Sequence, residues 1–374
     1  MNQKLTLVLN SGSSSIKFKI FTKDLKVVAS GIMEKIGLPG SFVDFILDKT
    51  KKHSTINLEN HEAAIKQLFL LLNKAGINFE NITKIGHRVV HGGEKFIKPT
   101  LVDRKVLREL KRYNKLAPLH NPKNIAGIEA CMNILPQAKN YAVFDTAFHS
   151  TLPDYAYLYP LPAKIYHKYH IRRYGFHGIS HQYVAEESAR ILKKTKPNLI
   201  VCHLGSGDSI TAIKEGKSVD TSMGFTPLEG LMMSTRTGDM DPALGMFLHH
   251  EGMNQTKIQH LFNSESGLLG VSGLKDMRDV MIANGYKIPG YQSSVKFTAE
   301  NKKWARIALQ MFVYRVRKYI GAYSLILGHV DALVFTAGIG ERNQDVRNLI
   351  TKGLKFKKLV IPTNEELMIA KLIA

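Results

Sequence analysis

One supersecondary unit occurs twice in the chain, and it limits the architectures open to the sequence. An apolar strand over residues 5–9 runs into Asn10-Ser11-Gly12-Ser13-Ser14-Ser15 and leaves as a second, alternating strand over residues 16–20. About half a chain length later, residues 199–202 break at His203-Leu204-Gly205-Ser206-Gly207-Asp208-Ser209 and resume over 210–213. Glycine lets a turn approach a ligand closely. Hydroxyls such as Ser13 and Ser15, backbone N–H groups and the charge of Lys17 at the turn exit suit a phosphate oxyanion. Matching Gly12-Ser13 to Gly205-Ser206 leaves one extra residue in the second turn. A unit repeated at this spacing predicts two similar lobes, each offering a phosphate turn to a ligand held in an interlobar cleft. A third Gly-rich stretch, Gly338-Ile339-Gly340-Glu341, also follows an apolar strand.

The 374 residues are 44% hydrophobic, which is enough for two full cores. Residues 61–75 carry apolar residues at helical spacing after Asn60, and helices are also expected over 180–194, 241–251 and 299–327. Strands alternating with such helices give an α/β class. Pro153, Pro160 and Pro162 mark a boundary after His149. The expected division is 1–149, 150–362 and a tail, 363–374, returning toward the first lobe. The sequence shows no cleavage-type leader, and its longest apolar run, residues 68–72, falls far short of the ~20 residues that cross a bilayer. Its two cysteines, Cys131 and Cys202, read as buried thiols, and a cytoplasmic setting is expected. Lys and Arg number 52 against 31 Asp and Glu, a net charge of +21. The lysines are dispersed and no nucleic-acid motif accompanies them, so they read as solvated surface and neither nucleic acid nor membrane is an expected partner.

Four further segments hold polar residues that packing does not require. Arg88 ends a strand before His91-Gly92-Gly93, and Asp145 ends another before Thr146. His177 and His181 share one short Gly-containing segment, and Arg236 precedes Thr237-Gly238-Asp239. Charged residues at strand ends beside glycines are typical of α/β ligand sites. Singly, each has an ordinary explanation: Arg88 as a surface ion pair, Asp145 as a helix cap, Arg236 as a partner of Asp239. His177 and His181 lack the carboxylate of a zinc-protease helix, and Gly216-Lys217-Ser218 lacks the leading glycine of a Walker loop.

Taken together, the segments resemble the acetate and propionate kinase family of the actin-like, sugar-kinase and chaperone ATPase superfamily. The motifs are those at residues 10–17, 86–93, 144–149, 174–181 and 220–230, in the family's order and over nearly the whole chain. The resemblance implies two duplicated actin-like (ribonuclease H-like) lobes, ATP or ADP in the cleft, Mg2+ (with Mn2+ as the alternative metal) and a homodimer. It implies transfer of the ATP γ-phosphoryl group to acetate, giving acetyl phosphate. By the same resemblance, metal positions fall on Asn10 and Glu365, and Lys17 contacts phosphate. Arg88 holds the carboxylate and the moving phosphoryl group, His177 and Arg236 stabilise the transition state, and His120 and Asp145 complete the catalytic set. Nucleotide contacts fall on His203, Leu204, Gly205, Ser206 and Gly207, on Asp276, Met277 and Arg278, and on Gly338, Ile339, Gly340, Glu341 and Arg342. Val90, Leu119, Phe176 and Pro227 form the apolar acceptor wall, whose valine suits a methyl group. Because a carboxylate acceptor is already ionised at neutral pH, it needs no general base, and Asp145 is read as a positioning or metal-water ligand.

Several positions depart from the family pattern. Ser206 replaces an asparagine, Asp208 puts an acid beside a phosphate turn, Ser234 replaces a glycine, Arg342 replaces an asparagine, and an excursion is missing between Phe356 and Leu359. Alternative readings are a propionate kinase, a member with another phosphoryl donor such as pyrophosphate, and a non-catalytic ATP switch.

Overall fold

Alternating apolar residues and a serine-rich turn make the first hairpin: β1 (Leu5–Ser11) and β2 (Ser15–Thr22) pair antiparallel from Leu5 opposite Thr22 to Ser11 opposite Ile16. The structure, a computed structural model, describes residues 4–374 apart from Ser13 and Leu119. The chain forms two compact units, residues 1–150 with 178–180 and 364–374, and residues 151–177 with 181–363.

In the first unit the hairpin is extended by β3 (Val27–Glu34), β4 (Phe42–Leu47) and β5 (Thr50–Thr55) on one side. On the other side lie β6 (Ile82–Val89), β8 (Lys139–Phe144) and the short β7 (Thr100–Leu101), giving the order β5-β4-β3-β2-β1-β6-β8-β7. β6 runs parallel to both β1 and β8. The inward residues Leu7, Leu9, Ile16, Phe18 and Ile20 pack on Ile65, Leu68 and Leu72 of the helix His61–Lys74, which Asn60 caps by accepting from the Ala63 N–H.

The second unit carries β9 (Leu199–Leu204), β10 (Asp208–Lys214), β11 (Lys217–Thr221), β12 (Ala332–Thr336) and β13 (Lys358–Val360), in the order β11-β10-β9-β12-β13. β9 is antiparallel to β10 and parallel to β12, and β12 is parallel to β13. This order and these directions repeat β3-β2-β1-β6-β8, so the duplication read from two turns extends to five strands in each sheet. The long helix Ala299–Leu327 covers the second sheet with Ala305, Ala308, Phe312, Val316, Ile320 and Tyr323, spaced three and four apart. A Thr298/Asn301 capping box starts it, and Gly328, at φ 70°, stops it.

The second of the two matching turns is the shorter one, against the expected extra residue. β9 and β10 remain paired up to Leu204 opposite Asp208, whereas β1 and β2 part at Ser11 opposite Ile16. The cause is Asp208, whose Oδ1 accepts from the Gly205 N–H at 2.6 Å and closes the turn from within. Cys131 and Cys202 are both buried free thiols, with burial pushing each above its ordinary value. Gly216-Lys217-Ser218 is a hairpin connection rather than a phosphate loop, with Gly216 at φ 77° and Lys217 opening β11. Among the described residues, no helix is long and apolar enough to cross a membrane.

Candidate active site

Two sets of polar residues gather at strand ends, one in each unit. In the first unit Arg88 and Asp145 sit at the carboxyl ends of the neighbouring parallel strands β6 and β8, and the Asp145 N–H donates to Val89 O at 3.0 Å. The pair is bidentate: Arg88 Nε lies 2.9 Å from Asp145 Oδ1 and Nη2 lies 2.6 Å from Oδ2. Asp145 is 1% exposed and Arg88 19%. The remaining guanidinium nitrogen, Nη1, donates to Asn10 Oδ1 at 3.1 Å and stands 3.5 Å from Glu365 Oε2, which also accepts from Asn10 Nδ2 at 3.0 Å. Burial opposes the Arg88 charge, yet Asp145 and then Glu365 outweigh it and raise the guanidinium above its ordinary value. Burial likewise pushes the Asp145 carboxyl upward; Arg88 opposes that shift and Glu365 adds to it. On balance burial prevails and the carboxyl lies above its ordinary value, while the bidentate contact with Arg88 is the geometry of a carboxylate–guanidinium pair and is what opposes the rise.

Glu365 arrives here because the C-terminal helix Glu365–Leu372 packs on β1 and β6 of the same unit. A β-carbon on Gly86 would stand 2.5 Å from Ile369 Cγ2, so glycine makes room for the helix. Lys19 Nζ holds its start through Asn364 Oδ1 at 2.8 Å and Glu366 at 3.1 Å. The helix Asn121–Ile134, whose cap residue is His120, clamps the other side. Asn121 Oδ1 accepts from the His91 N–H at 3.0 Å, and Asn124 joins the Val90 N–H at 3.1 Å to Ser11 O at 2.8 Å. Sequence reasoning passed over both asparagines, although a helix opening His120-Asn121-Pro122 beside a catalytic match was the available signal. Lys17 is exposed on β2 opposite Asn10, and Ser15 begins that strand. Ser13 and Leu119, also singled out from the sequence, lie outside the described residues.

In the second unit His177, Arg236 and the 205–207 turn come together. A β-carbon placed on Gly207 would be 3.5 Å from Arg236 Nη1 and 3.5 Å from His177 Nε2. Arg236 Nη1 donates to Pro227 O at 3.0 Å rather than pairing with Asp239, which instead accepts from the Gly230 N–H and Tyr319. The His177 ring stacks on His203 at 4.2 Å. Ser206 and Ser234, two of the departures, are joined through their backbones, the Ser234 N–H donating to Ser206 O at 3.3 Å. Asp208 is fully buried, its Oδ2 has no hydrogen-bond partner, and burial raises its carboxyl well above the ordinary value. Burial thus works against the negative charge expected at the turn, while the Gly205 N–H and Arg236 work for it. Burial lowers Arg236, and attraction to Asp208 works the other way.

The third Gly-rich stretch begins the short helix Ala337–Arg342 directly after β12. It neighbours the 205–207 turn, since a β-carbon on Gly205 would lie 4.0 Å from Gly338 N. Glu341 turns inward and accepts from the Ala337 and Thr363 N–H groups, while Arg342 is exposed. Asp276 caps the helix Met277–Ala283 and pairs with Arg278, whose guanidinium lies 3.9 Å over the Tyr291 ring. Phe176 is buried, and Val90 and Pro227 are half-buried.

The sequence profile of the Acetokinase family matches residues 5–359. The chain belongs to the acetokinase family. It is 45% identical over 402 aligned positions to an acetate kinase of Carboxydothermus hydrogenoformans, covering 98% of this chain and 97% of that one. Among solved structures it resembles a propionate kinase from Francisella tularensis, with a TM-score of 0.90, 39% identity and 99% and 98% of the two chains covered. It also resembles the acetate kinase of Porphyromonas gingivalis, with a TM-score of 0.87, 37% identity and 98% of each chain covered. Membership of the acetokinase family makes the protein a kinase, a phosphotransferase, on the α/β fold described above. The matched span ends before Glu365, so the contact of this residue with Asn10 and Arg88 is information from the structure alone.

Asn10 and Glu365 offer an amide and a carboxylate oxygen, hard donors suited to Mg2+, which usually keeps water and phosphate oxygens alongside one or two protein ligands. Among the described residues no group of three or more His, Cys, Asp or Glu forms a dedicated metal cage. The donor set therefore fits a metal that arrives with a nucleotide.

Proposed function

We propose that the protein is an acetate kinase, transferring the γ-phosphoryl group of ATP to acetate to give acetyl phosphate and ADP, and running in reverse. The observation that carries this reading is the Arg88 arrangement: a guanidinium fixed by Asp145 on one edge and directed toward Asn10 and Glu365 on the other. Arg88 holds the acetate carboxylate and keeps one oxygen in line with the γ-phosphorus. Asp145 orients Arg88 and takes no proton, because acetate is already ionised at neutral pH. The acetate oxygen forms the new O–P bond while the bond from the γ-phosphorus to the β,γ-bridging oxygen breaks, its electron pair leaving on ADP. Charge spreads over the three equatorial oxygens in such a transfer, and His177 and Arg236 donate to them. The 205–207 turn, Lys17, Gly338 to Arg342, and Asp276 to Arg278 bind nucleotide. Mg2+ held by Asn10 and Glu365 would neutralise phosphate charge when bound.

Val90, Phe176 and Pro227 are the acceptor wall of this reading, with Leu119 as the fourth member. The likeness to the Francisella tularensis propionate kinase supports a second reading in which propionate is the preferred acceptor. One methylene is worth roughly 1–3 kcal/mol in such a pocket. Homodimerisation belongs to the same proposal; exposed Met246, Phe247 and Leu325 supply apolar surface for it. So does a cytoplasmic setting, in keeping with two free thiols. The test is hydroxylamine trapping of acyl phosphate from ATP and Mg2+ with acetate, propionate or no acceptor, repeated with pyrophosphate as donor. Acetate-dependent hydroxamate from ATP supports the proposal. Product only with propionate, or only from pyrophosphate, selects an alternative. Steady ATP hydrolysis indifferent to carboxylate selects the non-catalytic switch.

A further inference from the structure

Ser209 lies in β10, fully buried, with its Oγ 2.9 Å from His177 Nδ1 and 2.8 Å from His181 Nε2. A hydroxyl carries one hydrogen, so it can donate to only one of two neutral rings and must accept from the other. The two imidazoles therefore cannot choose their tautomers independently. Both rings and the serine are firmly held. His177 and His181 are a helical turn apart, with the His181 N–H donating to His177 O at 2.9 Å. His203, stacked on the His177 ring, is the register partner of Ser209 across β9 and β10. His177 itself has φ 57°, a left-handed conformation that a side chain rarely adopts unless its surroundings impose it.

The direction of this hydrogen-bond chain is set by what the other edge of His177 faces. Its Nε2 lies toward Gly207, in the turn read as a phosphate cradle. A lone pair presented there would repel phosphate oxygens, whereas an N–H would bind them. We propose that Ser209 is a positioning residue that fixes His177 as the Nε2–H tautomer. His181 Nε2–H donates to Ser209 Oγ, the Ser209 hydroxyl donates to His177 Nδ1, and His177 Nε2–H points at the turn. This rests on the reading that His177 stabilises phosphoryl transfer, and the experiment keeps the two apart.

Long-range 1H–15N correlation on the full-length protein labelled with 15N-histidine, at about pH 7.5, distinguishes the tautomers directly. The His177 signals are assigned by their loss in His177→Gln. In the unsubstituted protein a protonated Nε2 and a bare Nδ1 are expected. Ser209→Ala should shift His177 toward a mixture with Nδ1–H and lower kcat at least tenfold, as roughly 10²–10³ is lost when one transition-state donor is removed outright. KM for ATP and for acetate should stay within about twofold. A His177 that is Nδ1–H or doubly protonated in the unsubstituted protein overturns the inference, as does an unchanged tautomer in Ser209→Ala. Should Ser209→Ala fold poorly, the spectrum of the unsubstituted protein decides alone. Full turnover in His177→Gln refutes the catalytic reading of His177 while leaving the tautomer result to stand or fall by itself.

Discussion

Removing the Arg88 guanidinium should unfold the first unit more readily than losing a surface ion pair would, and the structure indicates by how much. Arg88→Met strips the 1%-exposed Asp145 carboxylate of contacts at 2.6, 2.9 and 3.1 Å and leaves Asn10 Oδ1 without its donor. Leaving one member of a buried pair uncompensated costs roughly 3–5 kcal/mol. The residual 19% exposure of Arg88 lets water compensate in part, which favours the lower end, about 3 kcal/mol. At about 2–4 °C per kcal/mol, the melting temperature should drop by some 6–12 °C. Asp145→Asn in the same background removes the stranded charge, so the double variant should recover about 2 kcal/mol relative to Arg88→Met. Neither should transfer phosphoryl groups. Thermal melts of the ligand-free protein, of Arg88→Met, of Asp145→Asn alone and of the double variant give the stabilities, and hydroxamate trapping gives the activity. A loss under about 1 kcal/mol in Arg88→Met, or simple additivity in the double variant, would refute the idea that Arg88 compensates the buried Asp145 carboxyl.

Three further outcomes are expected. The Asp208 carboxyl is raised by burial, so the stability linked to its protonation is complete below the unfolded value near 3.8 and is lost as pH rises through the folded value. Asp208→Asn keeps an acceptor for the Gly205 N–H and should raise stability at neutral pH by about 1–3 kcal/mol while flattening this dependence, as read by urea titrations across pH. His87 and His91 are held neutral by burial, with values lowered to about 4 and about 3. Their stabilising contribution is complete above about pH 6.5 and is lost as pH falls toward those values, each costing on the order of 2–3 kcal/mol by pH 4.5; urea midpoints at pH 7 and 4.5 measure the drop. Val90→Ala should move kcat/KM from acetate toward propionate by about tenfold, measured with both acceptors in one assay.

Local signals account for most of the architecture that is legible in the sequence. The paired strands flanking Gly-Ser turns, the strand-end positions of Arg88 and Asp145, and the helix over residues 299–327 arise from alternation, turn chemistry and helical spacing. The inward fold of Asp208 does not, because a turn residue of that type can face solvent or its own backbone, and only the Gly205 contact decides which. The asparagine clamps of Asn121 and Asn124 and the Ser209 bridge depend on residues far apart in the chain, for which a single sequence has no periodic mark. Glu365 could be reached only through the family resemblance, since its place beside Asn10 is set by the packing of the last helix over Gly86.

The most direct test of the proposed phosphoryl transfer is ATP formation from acetyl phosphate and ADP, read by luciferase, in the unsubstituted protein and in Arg88→Ala and Arg236→Ala. The account predicts Mg2+-dependent ATP formation that falls at least about 10²-fold in each variant while both remain folded. Undiminished ATP formation in either variant, or none in the unsubstituted protein, would contradict it.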